Sequence, residues 1–237
     1  MARTVKPEAF AAKRGEILNA AQRLVFTKGY EQMSIQDILD EVQISSGAFH
    51  HYFDSRGALL EAFVERIKQE TEKPLLPIIH DPNLSAIQKL QGFFDTLDRL
   101  RIANKADVVK LGRVWYTDAN AIVRLKVDEA IFQQRAPLLT EIVRQGISEG
   151  CFTIAHPDNA GEVLMSLLYG MGNTHARLLL SFDQERDDLS CVEAIVSTHA
   201  AYMNAIERVL GAPPHSFSRT GAEAVNVWVA AIRGSHV

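Results

Sequence analysis

The chain has 237 residues, 47% of them hydrophobic, so it is long enough and apolar enough to form a small domain and a larger one. With 25 Lys and Arg against 29 Asp and Glu, the formal net charge is −4, which excludes the overall basic surface of proteins that bind polyanions without specificity. The sequence contains neither a run of about 18 apolar residues nor an amino-terminal apolar signal region, so we expect a globular protein of the cytoplasm with no membrane segment.

The first two predicted helices lie before residue 43. The first ends at Gly29, which can adopt the left-handed conformation that closes a helix. The second begins after Ser34, whose hydroxyl can accept a hydrogen bond from the amide of Asp37, in a variant of the capping box. The apolar residues at helical spacing are Ile17, Ala20, Ala21, Leu24 and Val25 in the first helix and Ile35, Ile38, Leu39 and Val42 in the second.

A third, short helix follows almost at once. Gln43 and Ile44 make the connection, and Ser45 is the expected N-cap of a helix running from Ser46 to His51. Small side chains cluster at its start, which lets the first turn of a helix come close to base edges in the major groove of DNA. Two short helices joined by a tight turn have the geometry of a DNA-reading helix-turn-helix.

The remaining sequence predicts helices throughout. Ser55 can cap a fourth helix, and three prolines between Thr71 and Pro82 interrupt the helical pattern and mark the predicted domain junction. No alternating pattern of useful length suggests a strand, so the fold is predicted to be all-α. The further predicted helices start at Leu84, with Ser85 and Gln88 as a capping box, and then cover 108–116, 119–148 with a kink at Pro137, 158–180, 190–210 closed by Gly211, and 222–232.

These elements divide the chain into a helix-turn-helix DNA-binding domain (1–55), a connecting helix (56–73) and a larger helical domain (84–237). We find no H-E-x-x-H, E-x-x-H, G-x-S-x-G or glycine-rich phosphate loop, so we expect neither an enzyme nor a cofactor. His50 and His51 point about 100° apart on a helix, without a carboxylate or Cys at ligand spacing, so no metal site is expected. Cys151 and Cys191 are interpreted as small hydrophobic residues rather than a disulfide or a nucleophile.

Three segments, A-x-R-L-V-F-x-K-G-Y, S-I-Q-D-I and I-S-S-G-A-F-H-H-Y-F-D-S-R-G-A-L-L, resemble the amino-terminal domain of TetR-family transcriptional regulators over about residues 12 to 64. The resemblance is specific because the helix caps, the Tyr52-Phe53 pair and the spacings coincide in one segment. Two positions depart from the family. Gln43 stands where Gly is frequent, which predicts a less left-handed turn or local strain, and Ser46 stands where Lys is frequent, which removes a phosphate anchor.

The resemblance implies where DNA would be contacted. We expect groove contacts at the start and along one side of the recognition helix, and phosphate contacts from residues on either side of it. The groove residues are Ser45, Ser46, Gly47, Ala48, His50 and His51, and the phosphate residues are Ser34, Tyr52 and Arg56.

Charge along the amino-terminal segment is uneven. Residues 1 to 30 hold six Lys or Arg against two Asp or Glu, whereas residues 31 to 55 hold none against five. We expect a basic arm that reaches phosphates or an adjacent minor groove, with a solvated charged tail as the alternative. The cations of this arm are Arg3, Lys6, Lys13 and Arg14.

The resemblance also implies that the larger domain binds a small effector and forms a homodimer through a four-helix face. The predicted effector pocket is lined by Phe93, Phe94, Trp115, Phe132, Met165 and Tyr169, with Asn173, His175 or Arg113 as polar candidates. The predicted dimer interface contains Ile195, Thr198, His199, Tyr202 and Ile206. Ordinary core packing explains both sets equally well. The helix at 222–232 is expected either to close the pocket or to pack on a neighbour.

These expectations combine into one functional hypothesis. The protein would be a homodimeric transcriptional regulator, in the first place a repressor, that binds a palindromic double-stranded operator and is released by a small-molecule effector. Effector binding would shift the helix at 56–70 and so change the separation of the two recognition helices. The alternative is a ligand-independent DNA-binding architectural or cell-division factor on the same scaffold, which a closed pocket would favour.

Overall fold

The computed structural model describes residues 7–103, 105–181 and 188–234, except for the side chains of residues 106, 107 and 188. Every regular element in these ranges is a helix, which confirms the predicted all-α class. The α-helices are α1 (Pro7–Thr27), α2 (Ile35–Val42), α3 (Ser46–His50), α4 (Arg56–Glu72), α5 (Leu76–Ile79), α6 (Ala86–Ala103), α7 (Lys105–Trp115), α8 (Ala121–Ser148), α9 (Ala160–Leu180), α10 (Asp188–Leu210) and α11 (Ala222–Gly234). Short 3-10 helices precede α8 (Asp118–Asn120) and α9 (Pro157–Asn159). None of the described helices combines the length and apolarity needed to cross a membrane.

The chain folds into two compact units. The first lies within Met1–Glu70 and Arg113–Ala130, and the second within Thr71–Gly112 and Ile131–Val237. The sequence places residues 113–130 inside the predicted domain 84–237, whereas the structure groups them with the amino-terminal helices. The helix α4 contains residues of both units, because the division falls after Glu70.

Local capping signals define the helices of the first unit. The Ser34 hydroxyl accepts from the Asp37 amide at 3.1 Å, and Asp37 Oδ2 accepts from the Ser34 amide at 2.7 Å, so the predicted capping box of α2 is confirmed. Gly29 has a φ of +87°, as expected for the residue that closes α1. The apolar faces of these helices meet in a core that includes Ile17, Ala20, Val25, Ile38, Val42, Phe49, Phe53, Leu59 and Phe63.

Asn120 explains why residues 113–130 belong to the first unit. Its side chain is fully buried, and its Oδ1 accepts from the amide of Tyr30 at 2.8 Å. Its Nδ2 donates to the carbonyls of Val25 at 3.0 Å and Val114 at 3.1 Å. One amide side chain therefore fastens the segment before α8 to the end of α1 and to the following turn. The carbonyl of Ala119 also accepts from the Glu31 amide at 3.0 Å.

The second unit is a helical bundle around one main core. The predicted capping box of α6 is confirmed, since the Ser85 amide donates to Gln88 Oε1 at 2.9 Å and the Gln88 amide donates to Ser85 Oγ at 3.3 Å. Pro137 lies inside α8, which continues on both sides of it. The fully buried core side chains include Leu75, Leu90, Phe93, Leu139, Ile206 and Leu210.

The final helix packs on its own subunit. The α11 residues Val225, Val229 and Ile232 are buried in one cluster with Val192 and Ile195 of α10. The helix also contacts α9. The sequence predicts that residues 222–232 either close the effector pocket or pack on a neighbour. In the structure they pack on α9 and α10 of the second unit.

Candidate DNA-binding interface

The turn between α2 and α3 is left-handed at a residue other than glycine. Gln43 has φ 55° and ψ 51°, and its amide donates to the carbonyl of Leu39. The expectation of a less left-handed turn is therefore wrong, and the alternative of local strain is the one that fits. A residue with a Cβ in this region is destabilised by about 1–2 kcal/mol relative to a right-handed conformation. The chain keeps the geometry of the turn despite the missing glycine.

We expect Gln43→Gly to raise the free energy of unfolding by about 1 kcal/mol, because glycine adopts this conformation without the steric penalty. The Gln43 side chain is exposed, so its removal takes away little packing. Urea unfolding followed by circular dichroism measures the change. Gln43→Ala is the matched control, because it removes the same side chain but keeps the Cβ. An equal gain in both variants would show that the strain at Gln43 is not relieved by glycine.

The helix α3 presents its first turn to solvent. Ser45 is its N-cap, with Oγ accepting from the Ala48 amide at 3.2 Å, and Phe49 is fully buried and fixes the helix on the unit. Ser46 and Gly47 are exposed at the amino-terminal end. An added Cβ at Gly47 would meet no atom within 4 Å. The first turn of α3 therefore has small side chains and free space around its backbone.

The other predicted groove residues are also accessible. His50 and His51 are exposed, whereas Ala48 is half-buried. The ring of Phe10 on α1 lies 5.4 Å from the ring of His51 and 4.8 Å from the ring of Tyr52. Phe10 was not predicted as part of this surface, because nothing in its local sequence indicates which distant ring it meets. The Phe10 ring contacts both of these side chains.

Two predicted phosphate residues are engaged within the unit. Both donors of Ser34, its amide and its hydroxyl, bond to Asp37 Oδ2 at 2.7 Å. The guanidinium of Arg56 lies 4.0 Å above the ring of Tyr30 and donates to the Tyr30 carbonyl. A phosphate contact from either residue would have to replace one of these interactions. Tyr52 remains half-buried at the edge of the helix pair.

Several cations among the described residues of the first unit also have internal partners. Arg23 pairs with Glu41 at 2.6 Å, and Lys28 pairs with Asp37 at 2.7 Å. The hydrogen bond from Lys28 holds the pKa of Asp37 well below its usual range. Lys13 pairs with Glu16, and Arg14 lies 4.7 Å above the Phe53 ring. The remaining two residues of the predicted basic arm, Arg3 and Lys6, lie outside the described residues.

The predicted pocket residues do not form one lining. Trp115 belongs to the first unit, where its ring lies 5.9 Å from that of Phe26, apart from the other five predicted pocket residues, which belong to the second unit. Phe93 and Met165 are buried in the main core of the second unit. The Phe94 ring packs against Phe217 at 5.5 Å. The rings of Phe132 and Tyr169 are 6.2 Å apart and only partly buried.

An open cavity in the second unit lies elsewhere. It has a volume of about 350 Å³ and lies between α5 and α6. Arg99 is its charged residue, and the rest of the lining is mostly apolar. The lining consists of Pro74, Ile78, Thr96, Arg99, Leu100 and Ala103. None of the six predicted pocket residues is among them.

The predicted dimer residues face the interior of their own subunit. Ile195 and Ile206 are buried, and His199 Nδ1 accepts from the amide of Thr220 at 3.2 Å. An added Cβ at Gly170 of α9 would lie 2.8 Å from the hydroxyl of Tyr202, so these two residues are packed together. Thr198 is half-buried. Contacts with α9, α11 and the segment before α11 bury part of this stripe within its own subunit, and its assignment to a dimer interface stays a prediction.

The described ranges include potential metal ligands and two cysteine thiols. No group of three His, Cys, Asp or Glu side chains there could hold a metal ion. Cys151 and Cys191 are both half-buried and do not form a disulfide with each other. Burial raises the pKa of the Cys151 thiol above its usual value, so this sulfur is less reactive than an exposed one.

Together, a capped α2, a left-handed turn and an exposed α3 on a small helical unit define a helix-turn-helix protein. A sequence profile of bacterial regulatory proteins of the tetR family matches residues 17–63. Residues 17–63 therefore match the amino-terminal domain of TetR-family regulatory proteins.

Relatives and a solved structure agree with this assignment. The HTH-type transcriptional repressor NemR of Escherichia coli (strain K12) is 23% identical over 79% of this chain and 95% of its own length. An uncharacterized HTH-type transcriptional regulator from the lacX 3' region of Lactococcus lactis subsp. lactis is 35% identical, but the match spans only 34% of this chain and 41% of that relative. The SmeT–triclosan complex shares the fold, with a TM-score of 0.60, 18% identity, and coverage of 89% of this chain and 97% of SmeT.

Proposed function

We propose that the protein is a transcriptional repressor that binds a palindromic operator as a homodimer and is released by a small-molecule effector. The exposed first turn of α3, anchored by the buried Phe49, carries this proposal, because it presents small residues where base edges must approach. The relative NemR is named a transcriptional repressor, and SmeT was solved with triclosan. The complex of SmeT with triclosan favours the ligand-responsive form over the architectural alternative.

Each residue at the interface has a proposed role. Ser45, Ser46 and His50 contact base edges, with Gly47 allowing the backbone to approach and with Ala48 and His51 beside them. Tyr52 contacts a phosphate. Arg56 and Ser34 act mainly by holding the unit in shape, since both are bonded internally. Ser45 and Ser34 also cap their helices, so their replacement affects folding as well as DNA affinity.

The exposed side of α9 and α10 is the proposed dimer face. The small or polar residues Ser197, Ala201 and Asn204 of α10 lie opposite the buried stripe of the same helix. Val163 of α9 is 41% exposed and adds an apolar side chain to the exposed part of that helix. Small residues let two helices come close, as a four-helix interface requires.

The decisive experiment measures specific DNA binding. Fluorescence anisotropy with labelled fragments of the promoter region beside the protein's own gene, in the presence of excess unrelated competitor DNA, should give a saturable curve at moderate salt. Overlapping fragments then locate the site, which we expect to be an inverted repeat because a twofold dimer contacts two equal half-sites. If every fragment binds only as weakly as the unrelated DNA, the protein is not a local repressor.

We expect Arg3 and Lys6, which precede α1, to contact phosphates, because several of the described cations are already paired within the unit. We expect Arg3→Ala/Lys6→Ala to weaken operator and unrelated DNA alike, and to reduce the slope of log K against log salt by about 2, since each lost phosphate contact contributes about 0.9. Anisotropy titrations over a range of NaCl concentrations measure the slope. Arg144→Ala/Arg208→Ala, on the second unit, is the charge-matched control. An unchanged slope in the arm variant would support the solvated-tail alternative.

A further inference from the structure

We propose that the effector is an organic anion, a carboxylate on an apolar body, and that the buried guanidinium of Arg135 binds it. This inference rests on the proposed function, because it names the chemical class of the effector. The guanidinium of Arg135 is a charge in the second unit, and no carboxylate among the described residues pairs with it.

Arg135 lies on α8 and is only 8% exposed. Its Nη2 donates to the carbonyl of Thr71 at 3.2 Å, whereas its buried Nε has no hydrogen-bond partner. Within the described part of the chain, no carboxylate oxygen comes within 4.0 Å of the guanidinium. A guanidinium has five donors arranged to hold a carboxylate through two parallel hydrogen bonds.

Another buried charge of the second unit has partners within the fold. Glu207 is 3% exposed, and its carboxylate pairs with Arg219 at 2.7 Å and accepts from the amide of Phe217 at 3.2 Å. Arg56 and Arg66 also have an unpartnered Nε. However, Arg56 stacks on an aromatic ring, and Arg66 lies 3.9 Å from Glu70 and donates to Asn19. Among the described residues, Arg135 bonds only to the Thr71 carbonyl, and no carboxylate oxygen lies within 4.0 Å of it.

The electrostatic surroundings agree with a missing anion. Burial lowers the pKa of Arg135 to about 10, while Tyr169 and Glu72 raise it and Arg101 lowers it further. The side chain therefore still carries its charge at neutral pH, and the Glu72 carboxylate acts on it only from a distance. A buried charge without a partner is strongly unfavourable, and a ligand carboxylate would remove that penalty.

The surroundings of Arg135 are suited to an apolar ligand body. Phe132 lies one helical turn before it on α8, and the ring of Phe132 faces that of Tyr169 at 6.2 Å. Thr71, which holds the guanidinium, is three residues from Pro74, which lines the open cavity. Leu100 also lines that cavity and directly precedes Arg101 in the chain. Two residues that act on the Arg135 guanidinium, Thr71 and Arg101, are therefore close in sequence to residues that line the mostly apolar opening.

The same residue provides a route from ligand to DNA. Thr71 belongs to the last turn of α4, whose carbonyls form the negative end of the helix dipole, and Arg135 is bonded to that end. A bound carboxylate competes with the Thr71 carbonyl for the guanidinium. The helix α4 begins at Arg56, a few residues after α3, so a change at its last turn is transmitted along one continuous helix.

Matched probes test the ligand class. The melting temperature of the full chain is measured with octanoate, octanamide and octylamine, and with phenylacetate, phenylacetamide and phenethylamine, at about 0.1–10 mM. We expect the carboxylates to raise it by about 2–4 °C or more, and the amides and amines to leave it unchanged. An equal shift from the amides, or no shift from either carboxylate, overturns the proposal.

Variants test the residue. Arg135→Gln should abolish the carboxylate shift, whereas Arg99→Gln, which removes the cation of the open cavity, should keep most of it. The reverse result would assign the anion to Arg99 and overturn the proposal. If Arg135→Gln does not fold, Arg135→Met takes its place, because an apolar side chain of similar volume removes an unpaired charge without leaving a cavity.

Operator binding separates this inference from the function on which it rests. Carboxylates that raise the melting temperature and weaken operator binding at least tenfold support both. Carboxylate binding without any specific DNA site would overturn the repressor assignment alone. Specific operator binding without a carboxylate effect would overturn the assignment of the effector class alone.

Discussion

We expect the Asn120→Ala variant to lose about 3 kcal/mol of unfolding free energy, a large fraction of the stability of a small unit. The substitution removes three hydrogen bonds at once. It takes from the Tyr30 amide and the Val25 carbonyl their bonds to a fully buried side chain, whereas the Val114 carbonyl still accepts from Thr117. A net hydrogen bond is worth about 1 kcal/mol, and an unsatisfied buried group adds about 1–3 kcal/mol to the loss.

Urea unfolding followed by circular dichroism measures the loss. Asn204→Ala is the matched control, because it removes the same side chain from an exposed position on α10 and should change the free energy by no more than about 0.5 kcal/mol. If Asn120→Ala is no more destabilising than Asn204→Ala, the Asn120 side chain does not fasten residues 113–130 to the first unit.

The Gly47→Phe variant should fold normally and lose operator binding. An added side chain at Gly47 has open space in the free protein, so we expect the free energy of unfolding to change by less than about 1 kcal/mol. In the complex, the ring would stand between the first turn of α3 and the floor of the major groove. We expect the operator affinity to fall by at least about 100-fold, equivalent to about 2.7 kcal/mol.

Anisotropy and urea unfolding on the same preparation measure the two effects. Gly221→Phe is the control, because Gly221 is also exposed and free of neighbours but precedes α11 in the second unit. It should leave both quantities unchanged. If Gly47→Phe keeps full operator affinity, α3 does not enter the groove by its first turn.

The sequence predicts the helix ends of the first unit well because their signals are local. The pairs Ser34–Asp37, Ser45–Ala48 and Ser55–Ala58 each lie three residues apart, and the corresponding bonds are all present. By contrast, Asn120 bonds to residues 90 and 95 positions earlier in the chain. No local pattern distinguishes such an asparagine from an exposed one, so its role could not be predicted.

In the second unit, the helical spacing of apolar residues does not distinguish a dimer interface from a core. The stripe Ile195, His199 and Ile206 has the spacing of an interface, but an interface and a core have the same spacing. The outcome depended on where α11 packs, which the sequence left open between two alternatives. Trp115 illustrates the same limit, since its apolar character fits a pocket wall and a domain core alike, and its position beside Phe26 depends on long-range folding.

The ion pairs of Arg23 with Glu41 and of Lys28 with Asp37 have a consequence for the search along the chromosome. Any stretch of DNA offers phosphates, so attraction to unrelated sequences depends on cations that are free to meet them. Among the described residues, each cation that is paired within the unit adds less to the attraction toward the many competing sites of a genome. We therefore expect few molecules to be sequestered away from the operator, so that a low copy number per cell suffices to keep it occupied.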